Sequence, residues 1–262
     1  MRVATWNINS VRIRLGVIKS FVDQYQPDIL CLQEIKTEAE NFPHAALDNM
    51  GFKHRLVRGE KSYNGVAILS KVPLEISDQL TFVNGQARHI SARISNGMEL
   101  HNFYVPAGGD IADPEINSKF DMKLKYMEEV ANWFQHNRKA SDRIILLGDI
   151  NVAPGKYDVW SHRQLLDIVS HTYMEKYYFR KILNSLNFID AVREFVPHHE
   201  KLYSWWSYRN KDWKLSNKGR RLDHILITEP LKPYLTNYDI FKSGRDLAST
   251  SDHVPVIIDL QR

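Results

Sequence analysis

Cysteine is almost missing from this 262-residue chain. Cys31 stands alone, so no intramolecular disulfide can form and an oxidising compartment would give it nothing. Within the apolar run Asp28-Ile29-Leu30-Cys31-Leu32-Gln33 it reads as a buried strand thiol. No stretch of about 18 apolar residues occurs, which excludes a membrane-spanning helix. The opening Met1-Arg2-Val3-Ala4-Thr5-Trp6 carries neither the apolar core nor the small-residue cleavage site of a secretory leader. Proline and glycine are sparse, and no Pro/Gly/Ser linker, repeat or low-complexity tract separates one part from another. These absences predict a soluble, cytoplasmic protein with no membrane contact, folded as a single domain over residues 1–262. Excess charge is also small: a net +4 admits a polyanionic partner without requiring one.

Hydrophobic residues make up 43%, enough for a packed core. Short β-branched runs at 3–8, 29–32, 66–69, 89–94, 100–105, 144–147, 222–227 and 254–260 read as buried strands. Segments 11–26, 117–137 and 172–186 have helical spacing, and Pro27 stops the first of them. Strands and helices intermix along the chain, with several strands in succession. That pattern predicts α/β layers with mixed or antiparallel sheets and not a strictly alternating plan.

Polar residues gather where the apolar runs end. Asn7 closes the first and Glu34 follows the second. Tyr104 lies near the end of 100–105, and Asp149 and Asn151 follow 144–147. Asp223 and the Ser251-Asp252-His253 triplet border the last two. Taken singly, an Asp after a strand is a turn former or a helix cap. Taken together, several carboxylates at one sheet edge repel one another unless a cation neutralises them. Oxygen ligands without a Cys/His cluster point to a hard ion, Mg²⁺ or its substitute Mn²⁺.

These residues lie in a set of motifs: Trp6-Asn7-Ile8-Asn9-Ser10, Leu32-Gln33-Glu34-Ile35-Lys36, Tyr63-Asn64-Gly65-Val66-Ala67, Tyr104-Val105-Pro106, Gly148-Asp149-Ile150-Asn151-Val152-Ala153-Pro154, Arg221-Leu222-Asp223-His224 and Ser251-Asp252-His253-Val254-Pro255. In order and spacing, over nearly the whole chain, the set resembles the exonuclease III family of AP endonucleases. The resemblance implies a DNase I-like, four-layer α/β sandwich, two packed mixed β-sheets flanked by helices, with the active site at one end. It implies metal ligation by Glu34 with Asn7 and Asp252 beside it, Asp149 and Asn151 being further candidate ligands. It gives Asp149 the attacking water, Asn151 and Tyr104 the phosphate and scissile group, and His253 a phosphate contact with Asp223 as its partner.

Residues 201–221 interleave seven basic residues with three Trp and two Tyr against one acid, Asp212. Cations beside flat rings suit phosphate contact and stacking on an extruded sugar or base. The resemblance puts the lesion pocket here, with Trp205 and Leu222 as its walls and Arg209 and Arg220 beside it. Arg55, Arg58, Lys61 and Lys123 are the other expected DNA contacts. The chain departs from the family at Ala107-Gly108-Gly109, at Arg220 and over 159–172. The departures bear on the balance between abasic-site incision and 3′-end cleaning. The implied substrate is duplex DNA with abasic sites or blocked 3′ ends, acted on by a monomer. A same-fold phosphoinositide phosphodiesterase and a non-catalytic DNA-binding module are the competing readings. His162, His171, His198 and His199 are expected at the surface.

Overall fold

The computed structural model describes residues 1–94, 96–210 and 212–261. Two six-stranded sheets face each other. The first runs, in spatial order, Leu235–Ile240, Val256–Leu260, Arg2–Asn7, Ile29–Gln33, Val66–Ser70 and His54–Arg58. The second runs Leu74–Ile76, His89–Ile94, Glu99–Tyr104, Ile144–Asp149, Asp223–Ile227 and Ile189–Asp190. Each sheet has one parallel pair at its centre and antiparallel neighbours outside it. A parallel pair needs a crossover, and helices supply it: Leu15–Tyr25 for Arg2–Asn7 and Ile29–Gln33, Ser118–Asn137 for Glu99–Tyr104 and Ile144–Asp149. Ile29–Gln33, Val66–Ser70 and Ile144–Asp149 are buried along their whole length and mostly apolar because both of their faces are covered.

One core lies between the sheets, where Cys31 packs with Val3, Ile68, Ile90, Ile145 and Ile258. A second joins the first sheet to the Leu15–Tyr25 helix through Trp6, Phe21 and Leu30. A third joins the second sheet to Ser118–Asn137 and Tyr173–Ser185 through Phe103, Tyr126, Phe134 and Phe179. These are the four layers expected. Gln33 donates to Thr5 and Asn102, and Asn102 donates to the Leu32 and Ala67 carbonyls, which pins the sheets together.

All eight expected strands exist, with ends shifted by a residue or two; the last begins at Val256, since 251–255 forms a loop. The expected helices are Ser118–Asn137, Tyr173–Ser185 and Leu15–Tyr25, the last preceded by a short 3₁₀ turn at Arg12–Arg14. Edge strands His54–Arg58, Leu74–Ile76, Ile189–Asp190 and Leu235–Ile240 were not expected. They are short or half-exposed, so they carry no continuous apolar run to betray them.

Candidate active site

Both central parallel pairs end at the same edge of the sandwich. Asn7 and Tyr104 are the last residues of their strands, Glu34 follows Gln33, and Asp149 pairs with Asp223 across the antiparallel ladder. The loop before Val256–Leu260 brings in Asp252 and His253. Asn7, Glu34, Tyr104, Asp149, Asn151, Trp205, Arg220, Leu222, Asp252 and His253 line one cleft of about 420 Å³, and Asp223 lies buried beside it. Glu34 and Asn151 both adopt left-handed backbone, at φ +54° and +55°. Such strain in non-glycine residues gathers where a side chain must be aimed.

Asn7 is the central brace. Its amide donates to Glu34 Oε2 and to Asp149 Oδ2, both at 2.9 Å. Asp149 also accepts from the Asn151 main-chain N–H at 3.0 Å and its side-chain amide at 3.2 Å. His253 Nδ1 lies 2.8 Å from Asp223 Oδ2 and its Nε2 3.7 Å from Asp149 Oδ2. Burial alone would discharge the imidazole, but Asp223 and then Asp149 raise its pKa well above the ordinary histidine value. Burial, reinforced by Asp223, pushes Asp149 upward while His253 and Asn7 pull it back. Burial also lifts the Tyr104 hydroxyl well above its usual pKa, with Glu34 and Asp149 adding to the effect. That phenol stays a donor.

Asp149, Asp223 and His253 lie close enough together to hold a metal ion. The His253 ring itself spans the two carboxylates, and with its pKa raised by them it can serve as their cation. A second set of oxygens lies on the Glu34 side. Glu34 Oε1 contacts the Lys36 ammonium at 2.8 Å, and Asp252 accepts from Asn9 at 3.3 Å and from Trp205 Nε1 at 2.9 Å. Glu34 and Asp252 offer oxygens that fit a hard divalent ion, and Asn7 Oδ1, which accepts from Asn9 N–H at 3.0 Å, keeps a second lone pair for it.

The cleft continues into a groove of about 730 Å³ beside Trp160, Trp205, Arg209, Lys218 and Arg220. The Arg220 guanidinium lies 5.5 Å from the Trp205 ring and donates to Val169 O and Ser170 Oγ, while Leu222 closes the apolar wall. Arg209 is exposed on the groove and Lys61 on a separate turn. Lys211, in the same basic segment, lies outside the described residues.

Three expected DNA contacts fall elsewhere. Lys123 is fully buried, so it cannot meet a phosphate from outside. Arg55 is spent on Asp48 and the Phe52 carbonyl, and Arg58 on the Leu80 and His89 carbonyls. Both arginines brace the edge strand to neighbouring loops. His171 is buried against Ala153 O and lies 2.8 Å from the half-buried His162, so neither is a free surface histidine; His198 and His199 are exposed as expected. Two contributors went unassigned. Ser204 donates to Asp223 at 2.6 Å and accepts from the N–H groups of Leu222 and Asp223. Asn9 holds both Lys36 and Asp252. A serine before two tryptophans carries no sequence signal, whereas Asn9 stood inside a quoted motif and could have been found.

The model of the Endonuclease/Exonuclease/phosphatase family matches residues 4–253. Exodeoxyribonuclease III of Haemophilus influenzae is 28% identical over 98% of both chains. An AP endonuclease structure from Archaeoglobus fulgidus superposes with a TM-score of 0.93 at 32% identity, covering all of both chains. A Neisseria 3′ phosphatase bound to product DNA hairpin gives 0.90 at 29% identity, again over the full length of both. With the same fold carrying the expected residues to one cleft, the chain belongs to the endonuclease/exonuclease/phosphatase family and, within it, to the exonuclease III group of AP endonucleases.

Proposed function

We propose that this protein is a metal-dependent DNA-repair nuclease that hydrolyses phosphodiesters at abasic sites and blocked 3′ ends of duplex DNA, with Mg²⁺ the expected ion and Mn²⁺ a substitute. One observation carries the reading: the His253 ring spans the buried Asp149 and Asp223 carboxylates beside a separate oxygen-rich set, and both open on a cleft walled by Trp205, Leu222 and Arg220. Glu34, Asn7 and Asp252 would hold the ion, which when bound polarises a phosphate oxygen and stabilises the leaving alkoxide. Asp223 keeps His253 charged and oriented toward a phosphate oxygen. Asn151 and Tyr104 present an amide and a phenol to charge that builds in the transition state. Asp149, aimed by Asn7 and Asn151, takes the proton of the attacking water. An extruded sugar has Trp205 and Leu222 to lie against, and Arg209, Arg220 and Lys61 supply positive charge to the flanking strand.

The guanidinium held at the pocket mouth by Val169 and Ser170 favours a second reading, restricted to 3′ ends. One experiment separates the two. A labelled duplex with a single tetrahydrofuran site and a nicked duplex ending in 3′-phosphate are each incubated with Mg²⁺ and with EDTA. Cutting of both, only with Mg²⁺, supports the full reading. Loss of the 3′-phosphate alone restricts it, and hydrolysis of a phosphoinositide with neither DNA touched overturns it.

A further inference from the structure

The fully buried Lys123, on the Ser118–Asn137 helix, lies among the site loops and has no outlet to solvent. Its ammonium has three protons and three acceptors: the Asn151 carbonyl at 2.7 Å, the Ala107 carbonyl at 3.2 Å and Glu175 Oε1. No donor is left for DNA. The Ala107 side fits tightly, since a Cβ on Gly108, where φ is +92°, would lie 2.9 Å from Lys123 Cδ. Glu175 is equally committed. It accepts from Ser170 N–H at 2.8 Å and from the Thr172 N–H and hydroxyl at 3.0 and 2.8 Å. Ser170 in turn holds Arg220 against Trp205.

We infer that Lys123 is a positioning residue, a buried clamp that fixes Asn151 in its left-handed conformation and, through Glu175, ties that side of the cleft to the Arg220–Trp205 wall. A left-handed residue points its carbonyl where an ordinary backbone would not, and the clamp holds that carbonyl in place. The inference rests on the nuclease reading, because it makes Asn151 the group whose aim matters.

The test compares wild type with Lys123→Met and with the Lys123→Met/Glu175→Gln double variant. The single variant strands a buried carboxylate and loses stability. The double variant leaves no unpaired charge at positions 123 and 175, and below its Tm it is the deciding protein. Its kcat on the abasic duplex is expected to fall about 10–100-fold, as a misaimed group near the chemistry produces. Its DNA Kd and the salt dependence of that Kd are expected to stay within about twofold, because no phosphate contact is lost. Weaker binding with a shallower salt slope and intact kcat would make Lys123 a DNA contact and overturn the clamp. Unchanged kcat and Kd would overturn it too, while a wild type that cuts no phosphodiester would sink the nuclease reading instead. A double variant that cannot fold would also count against the clamp and make the pair a folding element.

Discussion

Two buried imidazoles in this molecule make the same kind of contact, yet one is pushed toward the charged form and the other toward the neutral one. His253 Nδ1 lies 2.8 Å from Asp223, and His101 Nε2 lies 2.7 Å from Glu99. His253 is pushed up; His101 is pushed down, burial outweighing the Glu99 carboxylate. The difference lies in who else claims each carboxylate. Glu99 also receives Arg138, which pairs with Asp78 as well, so little negative charge remains for His101. His101 Nδ1 faces His89, whose own Nδ1 accepts from Leu80 N–H. That acceptance leaves the His89 proton on Nε2, to be donated to His101, and fixes both rings as neutral tautomers. Around His253, Asp223 and Asp149 have no arginine or lysine ion pair among the described residues. A short contact does not set protonation; the uncompensated charge around it does.

The change that should break the charged pair most deeply is Asp149→Asn. It keeps the shape and the Asn7 brace but removes the proton acceptor. Turnover on an abasic duplex should drop by about 10²–10⁴-fold with DNA binding retained. Near-normal cutting would take Asp149 out of the chemistry.

The neutral histidines should show themselves in acid. His89, His101, His171 and His224 all have folded pKa values below the ordinary value, burial being the first cause in each, with His171 and His224 lowered to about 4. The unfolded chain takes up their protons first as pH falls through about 6.5. Their stability contribution is therefore complete above that pH and lost below it, by roughly 2 kcal/mol near pH 5 for a ring lowered as far as His224. His253 has the opposite shift and cannot add to that loss. Asp149, pushed upward, gains stability over the same range, so the histidines are read by difference: urea unfolding at pH 7 and pH 5 is compared in wild type and His224→Gln, and an identical pH dependence in the two would mean that the His224 ring is already charged.

Asp223→Asn should then turn the charged pair toward the behaviour of the neutral one. His253 loses its principal counter-charge, so its folded pKa falls and its proton leaves at lower pH. The alkaline limb of kcat/KM should move down by at least about one pH unit, with at least about tenfold lost at the old optimum. An unmoved limb would assign that ionisation to another group.

Only one of these two histidines was legible beforehand. His253 stands in a three-residue signature beside a strand, and the other site residues likewise mark the ends of apolar runs. His101 sits inside such a run, where alternation says only that a side chain faces a layer. Lys123 shows the same limit: helical spacing put it on the Ser118–Asn137 helix, yet nothing local says which face meets Glu175, 52 residues on. The acceptors that decided its role are main-chain carbonyls, which any residue can supply. Ser204 was hidden for a similar reason, its value coming from a partner 19 residues away across the two-stranded ribbon region.

The smallest expected effect on catalysis is also the one that separates the pairs most cleanly. Glu99→Gln removes charge from the neutral network, but an amide oxygen can still accept from His101 Nε2–H, and Arg138 keeps Asp78. The cost should be about 3 kcal/mol, the order of breaking a mostly buried ion pair with Arg138, seen as a lowered Tm. Glu99 opens the strand that Tyr104 closes, and it pairs with Ile144 where Tyr104 pairs with Asp149, so the substitution lies at the far end of the sheet from the cleft. Cleavage per folded molecule should accordingly stay within about twofold of wild type. A larger loss of kcat at full folding would show that the strand transmits charge or strain between its ends, and the two imidazole–carboxylate pairs would have to be treated as one coupled system.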